Sequence, residues 1–129
     1  MALFLDEERI IREGSDRDPS LKPDDIDRIY YARKILLQNL GHPPSLMELA
    51  RAVGMNDRKL KEGFRQVFGT TVFGCLHDYR MEQARSLLRE RQLNVKQVAR
   101  VVGYASPTSF HAAFCKRFGM TPGAYLKVS

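Results

Sequence analysis

The side chains that most often carry out chemistry are thinly spread in this sequence. Its two cysteines, Cys75 and Cys115, stand 40 positions apart, and neither has a second cysteine or a histidine at zinc-finger spacing. Cys75-Leu76-His77 is too sparse to hold a metal or to activate a thiol. Paired carboxylates, a glycine-rich phosphate loop and a nucleophile elbow are all missing. What remains is charge. The 129 residues carry 21 Lys or Arg against 15 Asp or Glu, a formal net charge of +6, and the distribution is uneven. Residues 1–23 hold six acids and four bases, a net of −2, whereas residues 24–129 hold 17 bases and nine acids, a net of +8. A basic body behind an acidic leader points to a polyanionic partner that is bound by charge. No enzymatic activity, cofactor or metal is expected.

The chain length allows one domain or two very small ones. Hydrophobic residues make up 43% and charged residues 28%, so the chain can bury a core and is no disordered tail. No apolar run approaches the ~20 residues of a membrane span. The opening MALFLDEERIIREG has neither a basic leader nor a cleavage signature. A soluble, cytoplasmic protein with two free, buried or half-exposed thiols is therefore expected.

The elements that must present the basic charge are helical. Residues 14–19 (GSDRDP) read as a linker, and the fold is expected to begin near Pro23. From Asp24, a capable cap, Ile29, Ala32, Leu36 and Leu40 fall on one helical face, ended by Gly41 and Pro43. Ser45 and Glu48 form a capping box, in which each side chain satisfies an orphan backbone N–H. The short helix behind it carries Leu46, Leu49, Ala50 and Val53 and stops at Gly54. Asn56 then caps a helix with the stripe Leu60, Phe64, Val67 and Phe68, closed by Gly69. Short helix, glycine turn and second helix make a helix-turn-helix unit.

That unit occurs twice. A shift of 49 lays Leu46, Leu49, Ala50, Val53 and Gly54 onto Val95, Val98, Ala99, Val102 and Gly103. A shift of 50 lays Asn56, Leu60, Phe64, Phe68 and Gly69 onto Ser106, Phe110, Phe114, Phe118 and Gly119. The caps correspond too, because Asn94 with Gln97 can mimic the Ser45 and Glu48 box, and Ser106-Pro107 is a cap followed by a first-turn proline. Between the units, residues 71–91 place Leu76, Tyr79, Arg80, Gln83, Ala84, Leu87 and Leu88 at helical spacing. A connector of about 20 residues is roughly 30 Å long, close to the ~34 Å of one B-DNA turn. A last short helix starts at Thr121-Pro122. The expectation is an all-α fold: two tandem helix-turn-helix subdomains joined by a long connecting helix, about seven helices in all, with the first unit at 24–70, the connector at 71–92 and the second unit at 93–129.

In this arrangement the chain resembles the DNA-binding domain of the AraC/XylS family of bacterial transcriptional regulators over residues 26–127. The strongest segment is VARVVGY at 98–104, followed by Ser106, Phe110, Phe114, Gly119-Met120-Thr121-Pro122 and Tyr125. A narrower resemblance, carried by FGTTVFG at 68–74 and HDYRMEQAR at 77–85, is to regulators that respond to ferric pyochelin-type siderophores. In that branch a separate N-terminal domain senses the ligand. The resemblance leaves two readings of residues 1–23: the end of such a domain, or the start of a short activator without a sensor.

The resemblance implies that the exposed faces of the helices at 57–68 and 107–118 enter the major groove. On the first, the base-reading positions fall on Arg58, Lys61 and Glu62. Arg58 can fork onto guanine O6 and N7, and Glu62 can accept from cytosine N4. The same spacing also allows an ordinary intrahelical Arg58 to Glu62 pair. On the second, the outward positions are Pro107, Thr108, Ser109, His111 and Ala112, the last where the family often has arginine. This helix is expected to contribute phosphate contact and shape readout more than base specificity. Lys59, Arg65, Lys116 and Arg117 are candidate phosphate anchors. Arg80 is expected either to pair with an acid inside the fold or to reach a phosphate. Phe64, Phe68, Phe114 and Phe118 recur at core spacing, unlike the exposed aromatics of a single-strand stacking platform.

These readings converge on a sequence-specific regulator of transcription that binds an asymmetric double-stranded DNA site, needs no cofactor, and acts through RNA polymerase from the nucleoid. The alternative is a protein-interaction or anti-activator module that docks a partner through the same helices. RNA binding or a small enzymatic role ranks behind both.

Overall fold

The computed structural model describes residues 21–128, so the linker expected at residues 14–19 lies outside the described residues. Within them the chain forms seven helices and no strand. The first, α1 (Pro23–Gln38), begins one residue before the expected cap: Lys22 is the N-cap and Pro23 occupies the first turn. Asp25 replaces Asp24 in the capping role, because its carboxylate accepts the Lys22 N–H at 3.0 Å. Ile29, Ala32 and Leu36 are fully buried, as their spacing requires. Leu40 lies beyond the helix, which ends at Gln38, and is only partly buried.

The first helix-turn-helix unit is α2 (Leu46–Ala52) and α3 (Asp57–Phe68). The Ser45 and Glu48 box is present in both directions, at 2.9 and 3.1 Å. Asn56 caps α3 by accepting the Lys59 N–H at 2.8 Å. The second unit, α5 (Val95–Val101) and α6 (Pro107–Phe118), repeats the first with helices of the same 7 and 12 residues. Even the turns match: the Met55 N–H donates to Ala50 O and the Tyr104 N–H to Ala99 O, both at 2.9 Å. The connector α4 (Val72–Glu90) has 19 residues, capped by Thr71, and is therefore about 28 Å long. The last helix, α7 (Pro122–Val128), starts from Thr121, whose hydroxyl accepts the Ala124 N–H at 2.9 Å.

The connector solves the problem of two small cores. One core joins α1, α2 and α3 to Val72 and Leu76 at the start of α4. The other joins α5 and α6 to Met81, Ala84 and Leu88 further along it. At 3.6 residues per turn these two patches point roughly 130° apart around the helix axis. The single stripe expected for α4 therefore needs correcting. Tyr79 is 36% exposed, whereas Met81, absent from that stripe, is fully buried. Each lobe takes its own side of the connector. Burial of each large side chain such as Ile29, Leu49, Phe64, Phe110 or Phe114, all fully buried, contributes about 1.5–3 kcal/mol. Phe68 and Phe118, expected in the core, sit at its edge: each is partly buried, with Arg33 over Phe68 at 4.7 Å and Arg85 over Phe118 at 5.0 Å.

Candidate nucleic-acid interface

Helix α3 separates apolar from charged residues around its axis. Leu60, Gly63 and Phe64 are buried, and Arg58, Lys61, Glu62, Arg65 and Gln66 face outward. Gly63 permits this packing, since a Cβ there would overlap Ile29 Cδ1 of α1 and stand 3.3 Å from Leu21 Cδ1. The outward side chains Arg58, Glu62, Arg65 and Gln66 line one open hollow. Within it Arg58 Nε donates to Glu62 Oε2 at 3.2 Å, with the Arg58 side chain 86% exposed. Such a pair is worth only ~0.2–0.5 kcal/mol, so a stronger acceptor can draw the guanidinium away.

Helix α6 is built on the same plan with different chemistry outside. Phe110 and Phe114 point inward, while Pro107, Thr108, Ser109, His111, Ala112 and Lys116 are exposed. Ser106 accepts the Ser109 N–H at 3.1 Å and donates to the Ser109 hydroxyl at 3.0 Å, so Ser109 serves the cap as well as the surface. At the positions equivalent to Arg58, Lys61 and Glu62 stand Thr108, His111 and Ala112. One outward face is charged and the other is small and mostly neutral.

Comparison with known proteins decides what such a pair of units is. The helix-turn-helix domain family matches residues 49–127, from within α2 to within α7. Regulatory protein PchR of Pseudomonas aeruginosa is 48% identical over 78 residues, covering 60% of this chain and 26% of that protein. An AraC-type transcriptional regulator structure from Chromobacterium violaceum superposes with a TM-score of 0.72 at 25% identity, covering 78% of this chain and 90% of that one. The DNA-binding domain of AdpA, in complex with a target DNA, gives a TM-score of 0.72 at 26% identity over 78% of this chain and 91% of that one. The chain belongs to the AraC family of helix-turn-helix transcriptional regulators. It corresponds to their DNA-binding part and spans about a quarter of the length of PchR.

As an AraC-type domain it works by binding DNA, not by catalysis. Its remaining charges are unequally available for that work. Arg65 and Lys116 are exposed. Lys59 instead pairs with Asp25 at 3.2 Å, tying the start of α3 to the start of α1. The Asp25 carboxylate is held below its ordinary range by the Lys22 N–H, with further help from Lys59 and Arg28, against the opposing effect of burial. Arg117 is engaged with Glu82 at 3.0 Å and with Asp78 at 4.0 Å, both on α4. Among the described residues Arg80 pairs with no acid, and it is only partly exposed to solvent. Its Nη2 donates to the Leu40 carbonyl at 2.6 Å, and its guanidinium lies 5.5 Å from the Tyr104 ring centre. No local pattern signals these partners, which lie 24 to 40 residues away along the chain.

Cys75 and Cys115 are free and half-buried, and burial pushes the Cys75 thiol up, away from thiolate reactivity. Among the described residues no cluster of three or more His, Cys, Asp or Glu can hold a metal, and no helix is long and apolar enough to cross a membrane.

Proposed function

We propose that the domain recognises one asymmetric double-stranded site of about two helical turns, with α3 and α6 in successive major-groove segments. The observation that carries this is the pairing of two equal recognition helices with unequal outward faces. Arg58, Lys61 and Glu62 read base edges from α3; Arg65 and Lys116 hold phosphates; Pro107, Thr108, Ser109, His111 and Ala112 give α6 a close, shape-sensitive approach. Lys59 contributes to the field at the start of α3 while staying paired with Asp25. A connector of about 28 Å, close to the ~34 Å of a DNA turn, is consistent with both helices meeting the same face of the duplex. The likeness to the AdpA domain bound to its target DNA supports the reading.

In the cell this domain acts from the cytoplasm at promoters on the nucleoid, through contacts with RNA polymerase, under the control of an upstream ligand-sensing domain. A salt titration tests the DNA reading directly. For five to eight neutralised phosphates, log K falls against log salt with a slope of about −5 to −7. A flat response, or equal affinity for single strands, would overturn it and favour a protein-docking module instead.

A further inference from the structure

Outside the shared connector, the described residues bring the two lobes together where the Gly103 turn approaches Leu40. Arg80 stands on α4 at an azimuth midway between the two buried patches, roughly 60–70° from each. From there its Nη2 reaches the Leu40 carbonyl in the α1–α2 loop of the first lobe at 2.6 Å. The same guanidinium faces the Tyr104 ring in the α5–α6 turn of the second lobe. Tyr104 in turn hydrogen-bonds His77 Nδ1, one turn earlier on α4, at 3.1 Å. Gly103 closes the joint. A Cβ at this residue, whose φ is +101°, would collide with the Leu40 carbonyl oxygen and lie 2.8 and 2.9 Å from Arg80 Nη2 and Nε. Its counterpart in the first unit, Gly54, has nothing within 4 Å of the same position. The two turns thus differ in their surroundings, and the second is pressed against the first lobe. Arg80 Nε is buried there without a partner, a cost the fold tolerates to keep the planar guanidinium wedged between the lobes.

We infer that Arg80, held between the Leu40 carbonyl and the Gly103-Tyr104 turn, is a positioning residue that sets the angle between α3 and α6 and thereby the half-site spacing the protein accepts. This rests on the DNA reading above. An i,i+4 ladder alone leaves a helix free to bend gently, and each lobe grips its own side of α4, so the connector by itself does not fix their mutual rotation. Arg80 couples the two sides through a backbone carbonyl and an aromatic face, neither of which can be exchanged for water without opening the joint. Inserting or deleting one base pair rotates one half-site against the other by about 35° and shifts it by about 3.4 Å. A joint fixed by Arg80 cannot follow that change; a loosened one can.

The test uses the full chain and duplexes that the parent protein selects from a random double-stranded library, each remade with one base pair added or removed between the half-sites. The parent loses about tenfold or more in affinity on either change, comparable to a mismatched base pair. Arg80→Gln lowers affinity for the selected duplex and flattens the spacing profile to about threefold or less, while Arg80→Lys, which keeps the charge but loses the fork, falls between. A merely destabilised protein would bind every duplex proportionately less with the profile unchanged, and that result overturns the inference. A second readout is independent of DNA. With Cys75→Ser and Cys115→Ser in the background, spin labels at Gln66→Cys and Lys116→Cys report the α3 to α6 distance. The distribution broadens in Arg80→Gln if the joint is as described, and an unchanged distribution refutes it. Should the parent select no duplex, the DNA reading fails, and the label distances still decide on the joint.

Discussion

The pair Gly54 and Gly103 offers a test of how the repeat departs from symmetry. They are equivalent by the 49-residue shift, both follow the short helix of their unit, and both have positive φ, +73° and +101°. For Gly54→Ala the only expense is the left-handed backbone, about 1–2 kcal/mol for an L-residue, because the space around it is open. For Gly103→Ala that expense remains, and the new methyl also strikes the Leu40 carbonyl oxygen and the Arg80 guanidinium. A backbone oxygen cannot rotate away as a side-chain end can. The joint must open, and the hydrogen bond from Arg80 to Leu40, a bond to a charged group worth about 1.5–3 kcal/mol, goes with it. The sum is about 3–5 kcal/mol, against a total stability of about 5–15 kcal/mol for a domain of this kind. Since the chain has no tryptophan, urea unfolding is best followed by far-ultraviolet circular dichroism. With a slope of about 1.5 kcal/mol/M, Gly54→Ala lowers the midpoint by about 1 M and Gly103→Ala by about 2–3 M. Equal shifts for the two variants would refute the contact between the second turn and the first lobe.

Three further outcomes follow from the same geometry. Because the Asp25 carboxylate is held below its ordinary range by Lys22, Lys59 and Arg28, its stabilisation is complete above the unfolded carboxylate value and is lost as pH falls through the lower folded one. Asp25→Asn should therefore cost about 1–2 kcal/mol at pH 7, and the gap between parent and variant in urea midpoint should shrink steadily below about pH 4. A gap that grew on acidification would contradict the assigned partners. Gly63→Ala adds a better helix former, a gain of about 1 kcal/mol, yet crowds Ile29 at the α1 and α3 contact, where overpacking costs about 1–3 kcal/mol; thermal denaturation should show a net loss, and a raised Tm would mean that α1 yields readily. On DNA, Arg58→Ala should relax preference at one base position and cost about 1–3 kcal/mol there, whereas Arg65→Ala should weaken all duplexes about equally. A uniform loss for Arg58→Ala, measured on a panel of singly substituted sites, would remove it from base reading.

The features legible in the sequence are those fixed within a few residues. Ser45 with Glu48, Asn94 with Gln97, and the caps Asn56 and Ser106 each bond a backbone N–H three residues on, so type and spacing sufficed. The doubled pattern was readable for the same reason, and it located both cores. What escaped was set by distance along the chain. Asp25 holding Lys59, Glu82 holding Arg117, and Arg80 donating to Leu40 join residues 34, 35 and 40 positions apart, and a backbone carbonyl as acceptor leaves no side-chain trace. Met81 and Tyr79 were misplaced because a helix serving two cores has two buried faces, while a periodicity argument assumes one. On the two candidate recognition helices, outward placement was legible and pairing was not: Lys59 and Arg117 lie on the expected helices but are ion-paired to Asp25 and Glu82 of the same chain.

The duplication constrains how the proposed recognition can work. Inward positions are conserved between the halves as apolar residues, Leu60 with Phe110, Phe64 with Phe114, and Phe68 with Phe118, because each lobe must bury a similar core. Outward positions are unconstrained by that requirement and have diverged, Arg58 against Thr108, Lys61 against His111, Glu62 against Ala112. Two units related by a shift along the chain, rather than by the two-fold axis of a dimer, present their helices in one sequential order, so a palindromic site offers them no advantage. If α3 supplies most of the base contacts and α6 mainly approach and phosphate contact, turning the protein end for end on its site exchanges the two halves and forfeits the Arg58 contacts. The domain would then bind in one orientation, and the surface it leaves free of DNA would face a fixed direction along the duplex.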